Sequence, residues 1–470
     1  MPNVEPELEF YFGLLEKIKR VALRITPQTP APKNVILSIN RISEPINKAD
    51  YFQPWSPIGV ADNLTKDEVV RRQRALQNLN NLVDKKLLID GSGFADPGAS
   101  TIFDSWNALV VSAEANPKPL PPNPEREKAV AAANALLFSA PGEESDAYKR
   151  YLEFSEKVDV ARANLTEKYL AAAATVQGLD RWPVTGKPHV NKVKRADEEW
   201  STKGRRQEIQ AAIDVLASAG GDAATALIAA AKRRIDNSKV VLSDIGAETP
   251  LVDVLPSNWC DPASNEGFSE FRLSVSEART WSKEGKKSFK AGASFLSLAG
   301  GGGVSSTDGH KIGFSDNLEI SFALGVARIN RPWFITTLLN MGGWYIKGQP
   351  KHSVSAGAAD QAKPENEVTW IPAIPTQMVV MKNLTITGSK ASELEKWAVK
   401  QKTAAGGGTI FGISLGARAG SSTDSKNTAI TKVNGGFKVE GVNVIGYVLE
   451  VMPASPKLDG FEAPAPPVKP

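Results

Sequence analysis

One pattern occurs twice in this chain. Ser294–His310 reads SFLSLAGGGGVSSTDGH, and Phe411–Lys426 reads FGISLGARAGSSTDSK. In each, small and apolar residues alternate, run through glycines and end on Ser-Ser-Thr-Asp. Alternation at period two belongs to strands, and the closing tetrad has the chemistry of a turn. Two hairpin-like units are therefore expected, with Gly302 and Asp308 in one turn region matched by Gly416 and Asp424 in the other. Matching positions suggest matching geometric roles, as neighbouring strands of one sheet. The bland alternative for each Asp is an Asx or Ser/Thr turn.

Alternation also governs the stretch between the two units. Phe314, Asp316, Leu318, Ile320, Phe322, Leu324 and Val326 share one face, with small or polar residues on the other. This predicts a strand over Phe314–Val326 with Leu318, Ile320, Phe322 and Leu324 in the core. Further strands are expected over Val379–Thr387, Ile410–Ala419, Thr428–Val433 and Val442–Val451, with a helix at Ala391–Thr403.

Before residue 240 the periodicity is helical. Leu8, Phe12, Leu15, Val21 and Ile25 form an apolar stripe, and Thr65 to Glu68 is a capping box opening a helix expected over Thr65–Ile89. NVILSINRI between them reads as a strand, and Asp90–Ser100 as a loop. Prolines dominate Asn116–Pro124 and predict a stiff extended linker. From Tyr148 to Val176 an imperfect heptad spacing holds, and two more helices are expected over Lys192–Ser218 and Asp222–Asn237. Ala129–Ala135, Ala171–Ala174 and Ala223–Ala231 would let these helices approach closely.

The expected fold class is α+β and multidomain. An Ala-rich helical hairpin or bundle in the N-terminal half precedes an antiparallel, sandwich-like β domain. The divisions are a mixed segment over 1–115, a linker over 116–124, a helical region over 125–240, a linker over 241–267, a β-rich domain over 268–453 and a disordered Pro-rich tail over 454–470.

A net charge of +4 is mild for a dedicated nucleic-acid binder. The basic clusters Lys192–Arg195, Lys203–Arg206 and Lys232–Arg234 have acids interleaved or nearby, which reads as an ion-paired surface. Cys260 stands alone, and His189, His310 and His352 lie far apart, so no zinc spacing is present. With one cysteine, acids near the start and no long apolar run, synthesis in the cytoplasm without a signal peptide or spanning helix is expected, with release by lysis or an injection route. Gly300–Gly303 is not followed by Gly-Lys-Ser/Thr, so a phosphate loop is not supported, and no cofactor is expected. No hydrolase, metalloprotease or Cys–His signature occurs. Any small-molecule ligand is unspecified. Aromatics after the long strand, Arg331, Trp333, Phe334, Trp344 and Tyr345, are candidates for a lipid, carbohydrate or partner platform, or for the cap of a core.

In composition, the two alternating Gly/Ser units resemble the inserting hairpins of β-pore-forming toxins, and each exceeds the roughly 9–11 residues of a transmembrane strand. That resemblance implies a non-enzymatic effector that is soluble when made, engages membrane lipid and oligomerises into a pore. A homomeric structural or assembly protein and an enzyme with an unrecognised site are the other two classes.

Overall fold

A computed structural model describes residues 6–25, 31–55, 65–89, 94–115, 124–140, 143–173, 181–182, 184–219, 221–289, 317–357, 370–403, 409–410, 412–414 and 429–457. The helices that organise it are α1 (Pro6–Ala22), α2 (Lys66–Val83), α3 (Ile102–Ser112), α4 (Pro124–Leu137), α5 (Asp146–Ala173), α6 (Lys187–Thr202), α7 (Arg206–Ala219), α8 (Gly221–Asn237), α9 (Val275–Ser288) and α10 (Ala391–Thr403). The strands of the large sheet are β1 (Val35–Ile46), β2 (Lys85–Ile89), β3 (Phe94–Thr101), β4 (Asp253–Leu255), β5 (Ser269–Ser274), β6 (Glu319–Asn330), β7 (Ala373–Thr387), β8 (Ile430–Val433) and β9 (Gly436–Val451). The fold is α+β around one large, mostly antiparallel sheet.

The sheet runs β5-β6-β7-β9-β1-β3-β2, with β4 added to β6 and β8 to β9. Among the described residues, only β1 and β3 pair in parallel. Four consecutive antiparallel strands, β5, β6, β7 and β9, form one half of it. The alternation in β6 behaves as expected: Leu318, Ile320, Phe322 and Leu324 are all buried, and Phe271 of β5 stacks on Phe322 at 4.5 Å between ring centroids. Phe314 and Asp316 lie outside the described residues.

Each face of the sheet is covered by helix or loop, where a second sheet had been expected. On one face α1, α9 and α10 share a core with Phe271, Ile320, Phe322, Met381, Phe437 and Val439. On the other, α2 and the segment around Trp259 and Cys260 pack on Ala327, Met378, Val380, Val444 and Tyr447. A third core joins α3, α4, α5, α7 and α8 to Trp333, Trp344, Ile371 and Met452 beyond the strand ends. In the helical layer α4 packs on α7 and α5 on α6.

The linear divisions read from the sequence do not separate these cores. Residues 1–115 supply α1 and β1, and β1 is hydrogen bonded along β9, near the other end of the chain. Alternation and stripe patterns report which face of an element is buried, and they carry no information on which distant strand it joins. Residues 241–267 are packed in, since Trp259 and Cys260 are buried. Residues 454–457 are held too, because Val354 N–H donates to the Ser455 carbonyl at 3.0 Å and His352 N–H to that of Pro456 at 3.1 Å. The linker at 116–123 and the tail from 458 lie outside the described residues.

Three element boundaries differ for local reasons. The helix opened by the Thr65 capping box stops at Val83, and Lys85–Ile89 continues as strand. Asp84 ends it, with its carboxylate accepting from Phe103 N–H at 3.1 Å and its carbonyl from Ile102 N–H at 2.9 Å. The helix expected over Lys192–Ser218 is two helices, broken where Arg205 adopts φ +50°. Phe94–Thr101, most of it in the expected loop, is strand.

Candidate functional site

The end of the sheet that carries the two repeated units has an unusual construction. Ser274 of β5 lies opposite Glu319 of β6, Glu319 lies opposite Thr387 of β7, and Thr387 lies opposite Gly436 of β9. Two excursions, residues 275–318 and residues 388–435, therefore each link two neighbouring strands at the same end of the sheet, the second including β8 just before β9. Each excursion begins with a helix, α9 or α10, and then carries one of the Gly/Ser units.

Local chemistry accounts for both helices. Ser274 caps α9 by accepting from Glu277 N–H at 3.3 Å, and Lys286 and Lys287 sit in its last turn. This Ser-x-x-Glu signal was present in the sequence and would have located a helix that the strand pattern around it obscured. Helix α10 occupies Ala391–Thr403, as its spacing predicts, and buries Ala391 and Ala398.

The second excursion is already partly in register with the sheet. Gly388 N–H donates to the Gly435 carbonyl at 3.1 Å, one step beyond the Thr387–Gly436 pair. Much further along, Thr409 pairs with Ser414 and Ile410 with Ile413 around Gly412, whose φ is +74°. Continuing the β7–β9 ladder from Thr387–Gly436 without any shift brings Thr409 opposite Ser414 and Ile410 opposite Ile413. The small turn is thus the tip that an uninterrupted β7–β9 hairpin would have. Between the two, the chain is diverted: 391–403 is helical, and Asn434-Gly435 turns β8 back onto β9 with Val433 opposite Gly436.

The tip is docked on β1. Ser43 N–H donates to the Gly412 carbonyl and Ser414 N–H to the Ser43 hydroxyl, both at 2.8 Å. Ile410 and Ile413 are buried in the α1 core. Tyr11, Leu14, Leu15 and Ile18 of α1 face Gly412, Ile413, Phe322 and Met381 across a cavity with about 20 Å³ of room for a water's centre. That accommodates a water and no organic ligand. Burial holds the Tyr11 phenol above its ordinary pKa.

The five aromatic-cluster candidates lie at the opposite end and are internal. Trp333 and Trp344 are fully buried, and Tyr345 and Arg331 nearly so. Trp333 donates to the Leu251 carbonyl at 2.9 Å and its own carbonyl accepts from Trp106 at 3.1 Å. Phe334 packs against Trp106. Trp344 donates to the Leu338 and Met341 carbonyls, both at 3.0 Å, and Tyr345 to Glu114 at 2.6 Å. These residues close a core and present no free aromatic platform. Arg331 engages the main chain, donating to the Pro375 and Val83 carbonyls at 2.6 and 2.7 Å. Its Nε lies 3.6 Å from Asp84, an ion pair too long for a hydrogen bond. Burial pushes the Asp84 carboxyl up to about 6 against the opposing pull of Arg331.

Lys382, on β7, is another buried cation. It donates to the Asn258 and Ser264 carbonyls at 2.9 and 2.8 Å and lies 3.7 Å from the Phe268 ring centroid. Burial lowers its pKa to about 8. These contacts secure the 258–268 loop to the sheet. Within the basic helix clusters, Arg206 pairs with Asp197, Lys203 with Glu199 and Arg234 with Glu144.

Gly302, Asp308, Gly416 and Asp424 lie outside the described residues, so their mutual approach is not on view. What is shown is that both excursions leave from the same end of one sheet. Among the described residues there is no cluster of three or more His, Cys, Asp or Glu side chains, and no helix is long and apolar enough to cross a membrane. No known protein family, curated protein or solved structure matches the chain.

Proposed function

We propose that this protein is a non-enzymatic effector that engages membrane lipid and, as a homo-oligomer, converts its two excursions into membrane-spanning β-hairpins. The observation that carries this reading is the register of the Thr409–Ser414 turn with the β7–β9 ladder. A segment kept only as a loop has no reason to match that ladder across so many intervening residues. A segment with a second, strand-like state does.

The lengths suit the purpose. Zipped from Thr387–Gly436 to the tip, each arm of the second hairpin adds more than 20 residues, roughly 70 Å of strand. Continuing β5–β6 from Ser274–Glu319 gives a first hairpin of similar reach, closing near Leu296 and Ser297. About 9–11 residues suffice to cross a bilayer. An open sheet edge is not tolerated in hydrocarbon, and two hairpins supply four strands, fewer than the roughly eight of the smallest closed barrels. Several copies must therefore contribute, which makes the homo-oligomer part of the mechanism. The Ala-rich helices over 124–237 act in this reading as a bundled arm that travels with the sheet. Cytoplasmic synthesis and release by lysis or injection complete it.

Dye release from phosphatidylcholine/phosphatidylserine vesicles, with size-exclusion chromatography before and after, tests the reading. Release accompanied by a ring-sized species is expected. Gly302→Val and Gly416→Val, which stiffen the two units, should keep vesicle binding and lose release. A lipid-independent oligomer without release would favour homomeric assembly instead, and neither result would return attention to an enzyme.

A further inference from the structure

Helix α1 touches both excursions. On one side it crosses α9 at a separation that only glycine permits. A Cβ on Gly13 would run into the Ala278 carbonyl, and one on Gly285 into the Phe12 carbonyl. Charges brace the crossing. Lys17, its side chain 8% exposed, pairs with Glu277 at 2.7 Å and donates to the Arg272 carbonyl. Lys19 donates to Ser288 at 2.9 Å, Ser288 to Glu16 at 3.2 Å, and Arg20 lies 4.3 Å from the Trp281 ring centroid. On its other side α1 covers the tip of the second excursion, where Tyr11 and Leu14 face Gly412 and Ile413.

Helix α9 has little to keep it helical by itself. It spans 14 residues and buries only Val275, Ala278 and Gly285. A helix so short is marginal in water without tertiary packing. Helix α1, by contrast, is anchored by Phe10, Phe12, Leu14, Leu15 and Ile18 in the core of the sheet. The strand state of 275–288 is open only when the α1–α9 crossing has been given up, and the Gly412 turn can leave β1 only from beneath α1.

We infer that α1 is a latch common to both excursions, holding α9 helical and the 409–414 tip docked until it is displaced. The inference rests on the membrane-insertion reading for its purpose, while the latch itself is a property of the free protein. Because one helix contacts both, its displacement releases the two hairpins together, which is what a concerted insertion requires.

Hydrogen exchange on the full-length protein in solution tests the latch without any membrane. Gly13→Ala, which places a methyl against the Ala278 carbonyl, should raise amide exchange over 275–288 and 410–414 at least tenfold and leave α2 unchanged. Lys17→Glu, which sets a carboxylate against Glu277, should do the same by another route. Unchanged exchange over 275–288 in both folded variants would overturn the latch.

A second measurement ties it to activity. In a Cys260→Ser background, Lys19→Cys and Ser288→Cys joined by a cleavable bismaleimide should reduce vesicle dye release at least tenfold, and cleavage of the linker should restore it. Release at the wild-type rate with the linker intact would also overturn the latch. If the uncross-linked protein releases no dye, the insertion reading fails, and the exchange result alone decides whether α1 holds the excursions.

Discussion

The chain leaves β6 at Asn330 and leaves β5 at Ser274, at opposite ends of one sheet, and the two exits are secured by different physics. Beyond Asn330 a guanidinium and two indoles are tied to specific carbonyls. Arg331 bonds two carbonyls, and the indoles of Trp333 and Trp344 donate to carbonyls of Leu251, Leu338 and Met341. Moving any of these would orphan a buried polar atom, which costs about 1–3 kcal/mol for a neutral group and more for a charged one. Beyond Ser274 the ties are a glycine crossing, a few small apolar contacts, ion pairs with partial access to water, and hydrogen bonds such as those from Lys17 to the Arg272 carbonyl and from Ser43 N–H to the Gly412 carbonyl. Apolar faces can be exchanged for other apolar surroundings, and strand ladders can replace helical hydrogen bonds without leaving any unmade. Under the proposed reading, one end of the sheet has a single arrangement and the other has two.

The comparison breaks most easily at Arg331. Arg331→Met removes the cation while keeping much of the volume, leaving Asp84 buried without its counter-charge and the Pro375 and Val83 carbonyls without a donor. The expected loss is about 3–5 kcal/mol of unfolding free energy by chemical denaturation. A loss below about 1 kcal/mol would mean that this end is no more tightly specified than the other.

A smaller effect follows from Asp84. Its folded pKa is raised to about 6 from the ordinary 3.8, because burial outweighs the pull of Arg331. The folded state therefore binds a proton more readily than the unfolded one. The stability it contributes is fully present below about pH 4 and is lost as pH rises through about 6, by on the order of 3 kcal/mol at most. Paired carboxylates with lowered pKa, such as Asp261 beside Lys48, slope the other way at acid pH, so the useful quantity is a difference. The stability of the wild type relative to Asp84→Asn should fall between pH 4 and 6. A flat difference would place the carboxylate in ordinary solvation and weaken the contrast between the ends.

Legibility in the sequence divides along the same line. The strand through Ile320, Phe322 and Leu324, the capped helix from Thr65 and the helix at Ala391–Thr403 were readable because each depends on local period or a cap. The strand NVILSINRI was readable too, but its place beside β9 was not, since pairing across some four hundred residues leaves no local trace. For Trp333 and Trp344 the sequence leaves a platform and the cap of a core both open, because residue type shows an aromatic group without showing what covers it. Their indole partners, the carbonyls of Leu251, Leu338 and Met341, belong to backbone that any residue type supplies. The two Gly/Ser units were the plainest feature of the sequence, yet the register that gives the second one meaning depends on Thr387 and Gly436 being opposite each other. The glycine crossing at Gly13 and Gly285 was missed altogether, because a lone glycine in a helical pattern signals only a lowered propensity.

The smallest expected effect sharpens the contrast from the exchangeable side. The Tyr11 hydroxyl faces the cavity beneath α1, and among the described residues no hydrogen bond acts on it, so burial alone raises its pKa. Tyr11→Phe deletes that hydroxyl and keeps the ring that packs on the sheet. A buried hydroxyl bonded to no protein group costs stability unless a water satisfies it, so the change should leave the protein at least as stable as the wild type to within about 0.5 kcal/mol, measured by chemical denaturation. The same single-atom deletion has no harmless counterpart at Arg331, whose Nη1 and Nη2 donate to the Pro375 and Val83 carbonyls. A loss beyond about 1.5 kcal/mol in Tyr11→Phe would show that an ordered water binds Tyr11, Asn40 and Ser43 into a fixed polar network. Added to the bonds that Ser43 already makes with Gly412 and Ser414, such a network would hold the Gly412 turn as firmly as the aromatic end, and the second state argued for it would lose its physical basis.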